Sequence, residues 1–213
     1  MVGLLIQIWK KGTAMIVRFS FVALVLMRLS ACATAAGEKY IEWTEDVRLG
    51  DGRMIVLKRS EEYRHVVDAG AGFREGWLLE QSNISAELPQ PVARHILWRG
   101  SLRPVVLDVQ PDGTVFLVGV PASGQARHDW KLPRNELYAV LRLNGETWER
   151  VPLELLPAGI QPNLFASSYQ LFITEGKSSG RHVDLKLKSE LDSNPQIDKR
   201  YRTIIRIPEP QRK

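Results

Sequence analysis

The sequence predicts an all-β fold, built from antiparallel hairpins into a sandwich or an open barrel, and three observations carry that prediction. Asp51-Gly52, Asp112-Gly113 and Asn144-Gly145 each lie between runs rich in Val, Leu, Ile, Thr and aromatic residues. Such pairs tolerate the positive φ that a two-residue type I′ hairpin loop needs. Period-two alternation appears beside them, in Val47-Arg48-Leu49 and Leu141-Arg142-Leu143, separating a wet face from a dry one. No window of 11 or more residues carries a convincing helical period. The best helix candidate, residues 87–98, is broken by Pro89 and Pro91, which cannot donate to a helical ladder.

Taken in order, the first hairpin joins residues 41–49 to 54–59, the second 105–109 to 114–120, and the third 137–143 to 147–151. Gly70-Ala-Gly72-Phe-Arg-Glu-Gly76 resembles a dinucleotide fingerprint, but its third glycine comes one residue late and no helical pattern follows; it reads as a loop. Residues 152–168 carry Pro152, Pro157, Pro162 and Gly159 and read as a long connection. Residues 169–174 and two alternating runs, 182–191 and 201–207, complete the predicted β pattern. The two runs flank Asp192-Ser-Asn-Pro195 and pair as a C-terminal hairpin, with Val183, Leu185 and Leu187 on one face. Lys186, Lys188, Arg202 and Arg206 fall on the other. That basic face is either the charged guard of an edge strand or a contact for anionic head groups or an acidic partner.

The chain has 213 residues, of which 44% are hydrophobic and 25% charged, enough for one core and unlike either a disordered or a polytopic membrane protein. Its first 31 residues hold four basic side chains and no acidic one. From Met15, which reads as the true start, a basic stretch ends at Arg18, an apolar run covers residues 19–27, and Leu29-Ser30-Ala31-Cys32 follows. This is the order of a secretory signal, and its apolar run is too short to span a bilayer, which takes about 20 residues.

Leu29-Ser30-Ala31-Cys32 resembles the bacterial lipobox. The resemblance implies that Cys32, the single cysteine, is lipidated (diacylglyceryl plus fatty acid such as palmitate) and becomes the mature N-terminus. Ala33 in place of a retention aspartate implies the outer membrane, on its periplasmic side. An uncleaved anchor, or a cut within residues 33–36, is the other reading. The expected organisation is a signal peptide over 1–31, a linker over 32–39, a β domain over 40–176 and a basic C-terminal hairpin and tail over 177–213.

Removal of the leader leaves 25 basic against 24 acidic side chains, so the formal charge of +5 belongs largely to the leader. The remainder is uneven. Residues 32–176 hold 15 basic and 19 acidic side chains, and residues 177–213 hold 10 and 5, an asymmetry that suggests an interaction face.

The segment Trp43-Thr-Glu-Asp-Val-Arg-Leu-Gly-Asp-Gly-Arg53 carries a second resemblance, together with Ile55-Val56, Arg59, Pro104, Leu107-Asp108 and Leu137-Tyr138. Arg142, Gly145, Trp148, Arg150, Pro152-Leu153 and Leu156-Pro157 continue it. Over roughly residues 40–165 the chain is similar to a group of uncharacterised exported proteobacterial proteins. The resemblance implies export and a β fold, and carries no chemistry.

Catalytic signatures are sparse. His65, His95, His128 and His182 are 30 or more residues apart, without the local ligand pairs that usually trace a metal site. His128-Asp129 lies in a polar segment with no nucleophile motif beside it. Glu45-Asp46 and Glu61-Glu62 are adjacent carboxylates, and neighbours on a strand point to opposite faces, so only carboxylates from different strands could form a glycosidase pair. Trp43 and Trp148 read as core. Trp77, Trp98 and Trp130 are the candidate ligand contacts, Trp130 lying in the polar stretch Arg127-His-Asp-Trp-Lys131. No cofactor and no metal is expected, and nucleic acid is an unsuitable partner for an exported chain. Two functions remain: a non-catalytic envelope lipoprotein that binds another protein, of the assembly or immunity kind, and a carbohydrate- or peptidoglycan-binding module or glycan enzyme.

Overall fold

The structure is a computed structural model that describes residues 37–68, 74–177, 180–195 and 197–206. It is mostly β, as the turn signals predict, with nine strands among the described residues. Sheet A has the order β4-β3-β2-β1-β9, formed by β1 (Glu38–Arg48), β2 (Met54–Asp68), β3 (Arg74–Glu87), β4 (His95–Gly100) and β9 (Arg181–Val183). Sheet B has the order β5-β6-β7-β8, formed by β5 (Leu102–Val109), β6 (Val115–Pro121), β7 (Ala139–Asn144) and β8 (Thr147–Val151). Only Ser101 separates β4 from β5, so one nearly continuous extended stretch passes from one sheet to the other.

The three hairpins form where expected, but the turns of the first two differ from the expected two-residue loop. Gly52 N donates to Leu49 O, and Gly113 N to Gln110 O, both at 2.9 Å; each glycine follows the turn at positive φ, +90° and +87°. These are turns closed by a glycine bulge rather than two-residue type I′ loops. The aspartates explain why: Asp51 Oδ1 accepts from Arg53 N at 3.0 Å and Asp112 Oδ1 from Thr114 N at 2.9 Å, the Asx-turn bond. In the third hairpin Asn144 pairs with Thr147, leaving Gly145 and Glu146 in the loop, with Gly145 at φ +58°.

The sheets pack through one core in which Val47, Leu57, Ile84, Ile96 and Trp98 of sheet A meet Leu102, Leu107, Leu117 and Leu141 of sheet B. Sheet B is buried on its other face too, where Val106, Phe116, Val118 and Val140 pack on Leu156, Ile160 and Ile204. This accounts for the unbroken apolar run of β6, since a strand covered on both sides has no wet face. The long strands of sheet A outreach sheet B. Their remaining inner surface, Ile41, Trp43, Tyr63 and Leu79, with Val183 of β9 beside it, is covered by Phe165, Leu171, Phe172 and Ile173.

The C-terminal hairpin is corrected. The described residues from Glu38 onward form one compact unit, and within it β9 pairs parallel with β1 while Leu185–Asp192 is an α-helix, α2; α1 is Gly124–Asp129. Asp184 caps α2 by accepting from Leu187 N at 2.7 Å. Leu187 and Leu191, one helical turn apart, then pack on the same apolar cluster, a use of this Lys/Leu/Glu stretch that a strand would forgo. Residues 199–201 form a single tight turn capped by Asp198. Tyr169–Thr174, also expected to be a strand, is a π-helical segment. Leu171, Phe172 and Ile173 are all buried, and a strand would turn the middle one outward. Of residues 69–73, inside the Gly70 to Gly76 stretch, nothing is described; Gly76 itself lies in β3.

Candidate functional site

Polar chemistry concentrates where the C-terminal segment closes over sheet A. Period two turns Glu45 on β1 and Arg59, Glu61 and Tyr63 on β2 inward, away from the solvated face. Arg59 Nη1 is 3.4 Å from Glu45 Oε1 and its Nη2 is 3.2 Å from Glu61 Oε1, with all three side chains fully buried. Arg59 Nη1 also donates to Phe165 O at 2.9 Å, and its guanidinium lies 4.8 Å from the centre of the Trp43 ring. The carboxylates are saturated by other donors. Glu45 Oε2 accepts from Phe165 N at 2.9 Å, and Glu61 Oε2 accepts from the Tyr63 hydroxyl at 2.6 Å and the Ser168 hydroxyl at 2.8 Å. Burial, followed by the Glu61 charge, pushes the Tyr63 phenol well above its ordinary range.

α2 adds two charges to this cluster. Lys188 Nζ donates to Asp46 O at 2.7 Å and Asn163 O at 2.8 Å and lies 3.5 Å from Glu45 Oε2; burial holds its pKa below the usual lysine value. Asp192 accepts from Ser167 N at 3.0 Å, Ser167 Oγ at 2.7 Å and Ala166 N at 3.2 Å. Burial raises its pKa. An ammonium with three acceptors is fixed and charged, which suits a rivet rather than a nucleophile. Glu45 and Glu61 are therefore the carboxylates from different strands that a glycan enzyme would need, yet they are sealed around Arg59, and a sugar cannot reach them without opening the core.

Above this cluster lies a cleft of about 720 Å³ between the β1–β2 turn, residues 159–164, α2 and Tyr201-Arg202. The outward face of sheet A is a different kind of surface. Its registers place Leu97, Ser85, Lys58 and Thr44 in one row and Arg99, Asn83, Ser60 and Glu42 in the next. Tyr40, Met54, Val56 and Leu97 are 47 to 68% exposed on it, and a shallow depression of about 520 Å³ runs between Tyr40 and Leu97. Lys58 Nζ and Glu42 Oε2 pair there at 2.9 Å.

The sequence candidates are dispersed. Trp98 is 3% exposed in the core between the sheets and is withdrawn as a ligand contact, because its inward position on β4 is fixed by alternation with Leu97 and Arg99. Trp130 covers the same core and donates from Nε1 to Ser101 Oγ at 3.2 Å. Trp77 lies on β3 under Lys39, whose Nζ is 4.4 Å from its ring centre. Trp43 is core as expected, and Trp148 is partly buried, donating to Leu97 O at 3.0 Å. The basic face is corrected with its hairpin. Lys188 is 8% exposed inside the cluster, Lys186 is exposed and 3.9 Å from Glu190, and Arg206 donates to Leu156 O and Pro157 O at 3.0 and 2.6 Å. Arg202 is exposed at the cleft. Cys32 lies outside the described residues.

His128 and Asp129 are exposed on α1. His182 bonds Thr44 Oγ1 at 2.9 Å and lies 3.2 Å from Asp46 Oδ1. Among the described residues no three His, Cys, Asp or Glu side chains are grouped to hold a metal ion, and no helix is long and apolar enough to cross a membrane. The cluster was missed in the sequence because its members are spread from Glu45 to Asp192; the inward parity of Glu45, Arg59 and Glu61 on apolar strands was the available signal. No family model, curated protein or solved structure matches the chain.

Proposed function

We propose that the protein is a non-catalytic interaction module of the bacterial cell envelope, tethered through a lipid on Cys32 to the periplasmic side of the outer membrane, which binds another protein through the outward face of sheet A. The observation that carries this reading is the content of that face. It presents Tyr40, Met54, Val56 and Leu97 around Arg99 and the Lys58–Glu42 ion pair on a broad surface, and exposed aromatic, Met and Arg side chains are the types enriched at protein contact surfaces. The carbohydrate reading loses its platform, since Trp98 is buried and Trp77 and Trp130 lie against Lys39 and Ser101 instead of over a common groove.

Two measurements test it. Metabolic labelling with a fatty-acid analogue should mark the wild type and not Cys32→Ser; label that persists in the variant, or never appears, removes the tether. The full chain recovered from envelopes should retain a protein partner that the Val56→Glu/Leu97→Glu variant loses. Equal retention by both, or glycan binding that depends on Trp77 and Trp130, overturns the interaction reading.

A further inference from the structure

The end strand of sheet B keeps an unused row of main-chain groups. Asn144 and Thr147 pair across a two-residue loop, which makes them a hydrogen-bonded pair and sets the alternation along the ladder. Arg142 with Glu149 and Val140 with Val151 then exchange main-chain bonds, so the N–H and C=O groups of Trp148 and Arg150 point away from β7. Neither residue makes a main-chain bond on that side among the described residues. Other edges are closed by side chains: Asn163 bonds Leu107 on β5, and Trp148 Nε1 reaches Leu97 O on β4.

The side chains of β8 leave that row accessible. Arg150 is drawn aside to Lys131 O and Glu136, and Glu149 accepts from Asn144 Nδ2 at 2.9 Å. Thr147, Glu149 and Arg150 are exposed. A pocket of about 520 Å³ adjoins the C-terminal end of the strand, walled by Leu137, Tyr138, Val151, Leu153 and Ile205. Arg150 lines it as well as Val151. Consecutive strand residues point to opposite faces, so a pocket touched by both opens at the edge of the sheet. Glu146 in the loop and Glu154 beside the pocket stand exposed at the two ends of the strand, and neither forms an ion pair among the described residues.

We infer that β8 is the docking edge for an extended peptide segment of a protein partner, which adds to it as a further antiparallel strand, seats an apolar side chain in the pocket beside Val151 and meets Glu146 and Glu154 with basic residues. Two donors and two acceptors in alternation along one edge are matched in full by the main chain of another strand. Antiparallel pairing sets a partner residue directly opposite Trp148 and another opposite Arg150, each exchanging both bonds. The pocket selects an apolar residue, and the carboxylates at either end, about seven extended residues apart, select cations. This edge belongs to sheet B, so its occupancy does not depend on the interaction proposed for the outward face of sheet A.

The probe is the heptapeptide Lys-Leu-Thr-Val-Thr-Val-Lys, whose threonines fall opposite Arg150 and Trp148 and whose leucine falls opposite Val151. One control is the same peptide N-methylated at both threonines, which keeps every side chain and loses two donors; the other carries Glu at both ends. Calorimetric titration of the full chain should show the methylated peptide binding at least about tenfold more weakly than the probe, and the Glu-ended peptide more weakly as well. On binding, hydrogen exchange should slow at the amides of Trp148 and Arg150 and stay unchanged at Glu149, whose N–H already serves the ladder. Glu146→Gln/Glu154→Gln should weaken the probe about three- to tenfold with an unchanged melting temperature, since both side chains are exposed. Equal binding of the probe and either control, probe binding untouched by the double Gln substitution, binding without new protection at Trp148 and Arg150, or no binding at all overturns the proposal. So does protection of those two amides in the free chain equal to that of Glu149, because the edge would then be already paired.

Discussion

Arg59 and Glu45 meet across the β1–β2 ladder at 3.4 Å, with no solvent exposure on either side chain. The pair is the centre of a network that joins sheet A to the segment that covers it, because Phe165 both donates to Glu45 and accepts from Arg59. Buried ion pairs contribute little net stability over a well-packed apolar alternative, yet removing one partner leaves an uncompensated charge in the core.

The first prediction follows from that asymmetry. Arg59→Met should cost about 3–5 kcal/mol in denaturant unfolding, since Glu61 then loses its ion-pair partner and Glu45 keeps only Lys188. Arg59→Met/Glu45→Gln/Glu61→Gln should recover a large share of the loss. A single variant as stable as the wild type would mean that the cluster is not ionised.

Asn163 closes the free edge of β5. Its side chain accepts from Leu107 N at 3.0 Å and donates to Leu107 O at 2.8 Å, standing in for the strand that sheet B lacks on that side and covering an edge open to foreign strands. Asn163→Ala should cost about 1–3 kcal/mol and expose the Leu107 amide to faster hydrogen exchange than its neighbours in β6. Unchanged protection at Leu107 would contradict the assignment.

Gly119 of β6 lies where β5 leaves no room for a side chain. A Cβ placed there would lie 2.7 Å from Leu102 Cβ on β5, which is backbone-anchored and cannot swing away. Gly119→Ala should therefore destabilise by about 1–3 kcal/mol, whereas Gly124→Ala, with nothing within 4 Å, should be neutral or slightly stabilising. Paired thermal melts of the two variants separate close packing from a general intolerance of glycine replacement.

Asp112 gives the pH dependence a sign. Its bond from Thr114 N holds its pKa below the ordinary carboxylate value, so the ionised form favours the folded hairpin. Its contribution is present above the unfolded pKa and is lost as pH falls through the folded one. The melting temperature of Asp112→Ala should lie below that of the wild type at pH 7, and the gap should close below about pH 4. A gap that widens on acidification would reverse the assignment.

These features differ in how far the sequence exposes them. Gly52, Gly113 and Gly145 announce their hairpins because positive φ and turn chemistry are local, and the alternation of Val47-Arg48-Leu49 is likewise local. The turn geometry escaped, since the Asx bonds of Asp51 and Asp112 select a bulged turn over the loop that Asp-Gly suggests. Residues 183–191 alternate well enough to imitate a strand over one short window, and only the cap at Asp184 with Leu187 and Leu191 in step betrays a helix. The ionic cluster lies beyond local reading altogether, for Glu45, Arg59, Glu61 and Lys188 meet only through tertiary packing. Trp98 shows the converse: an aromatic judged by composition is placed by its parity on β4.

The central claim is that the outward face of sheet A is where the protein meets its partner in the envelope, and one measurement addresses it directly. A photo-crosslinking amino acid is placed in living cells at Leu97, 68% exposed on that face, and in a control at Arg134, which is exposed between α1 and β7. The account predicts a discrete protein adduct from position 97 that is absent from position 134 and is abolished by Val56→Glu. Adducts of equal yield from both positions, or from position 134 alone, would contradict it.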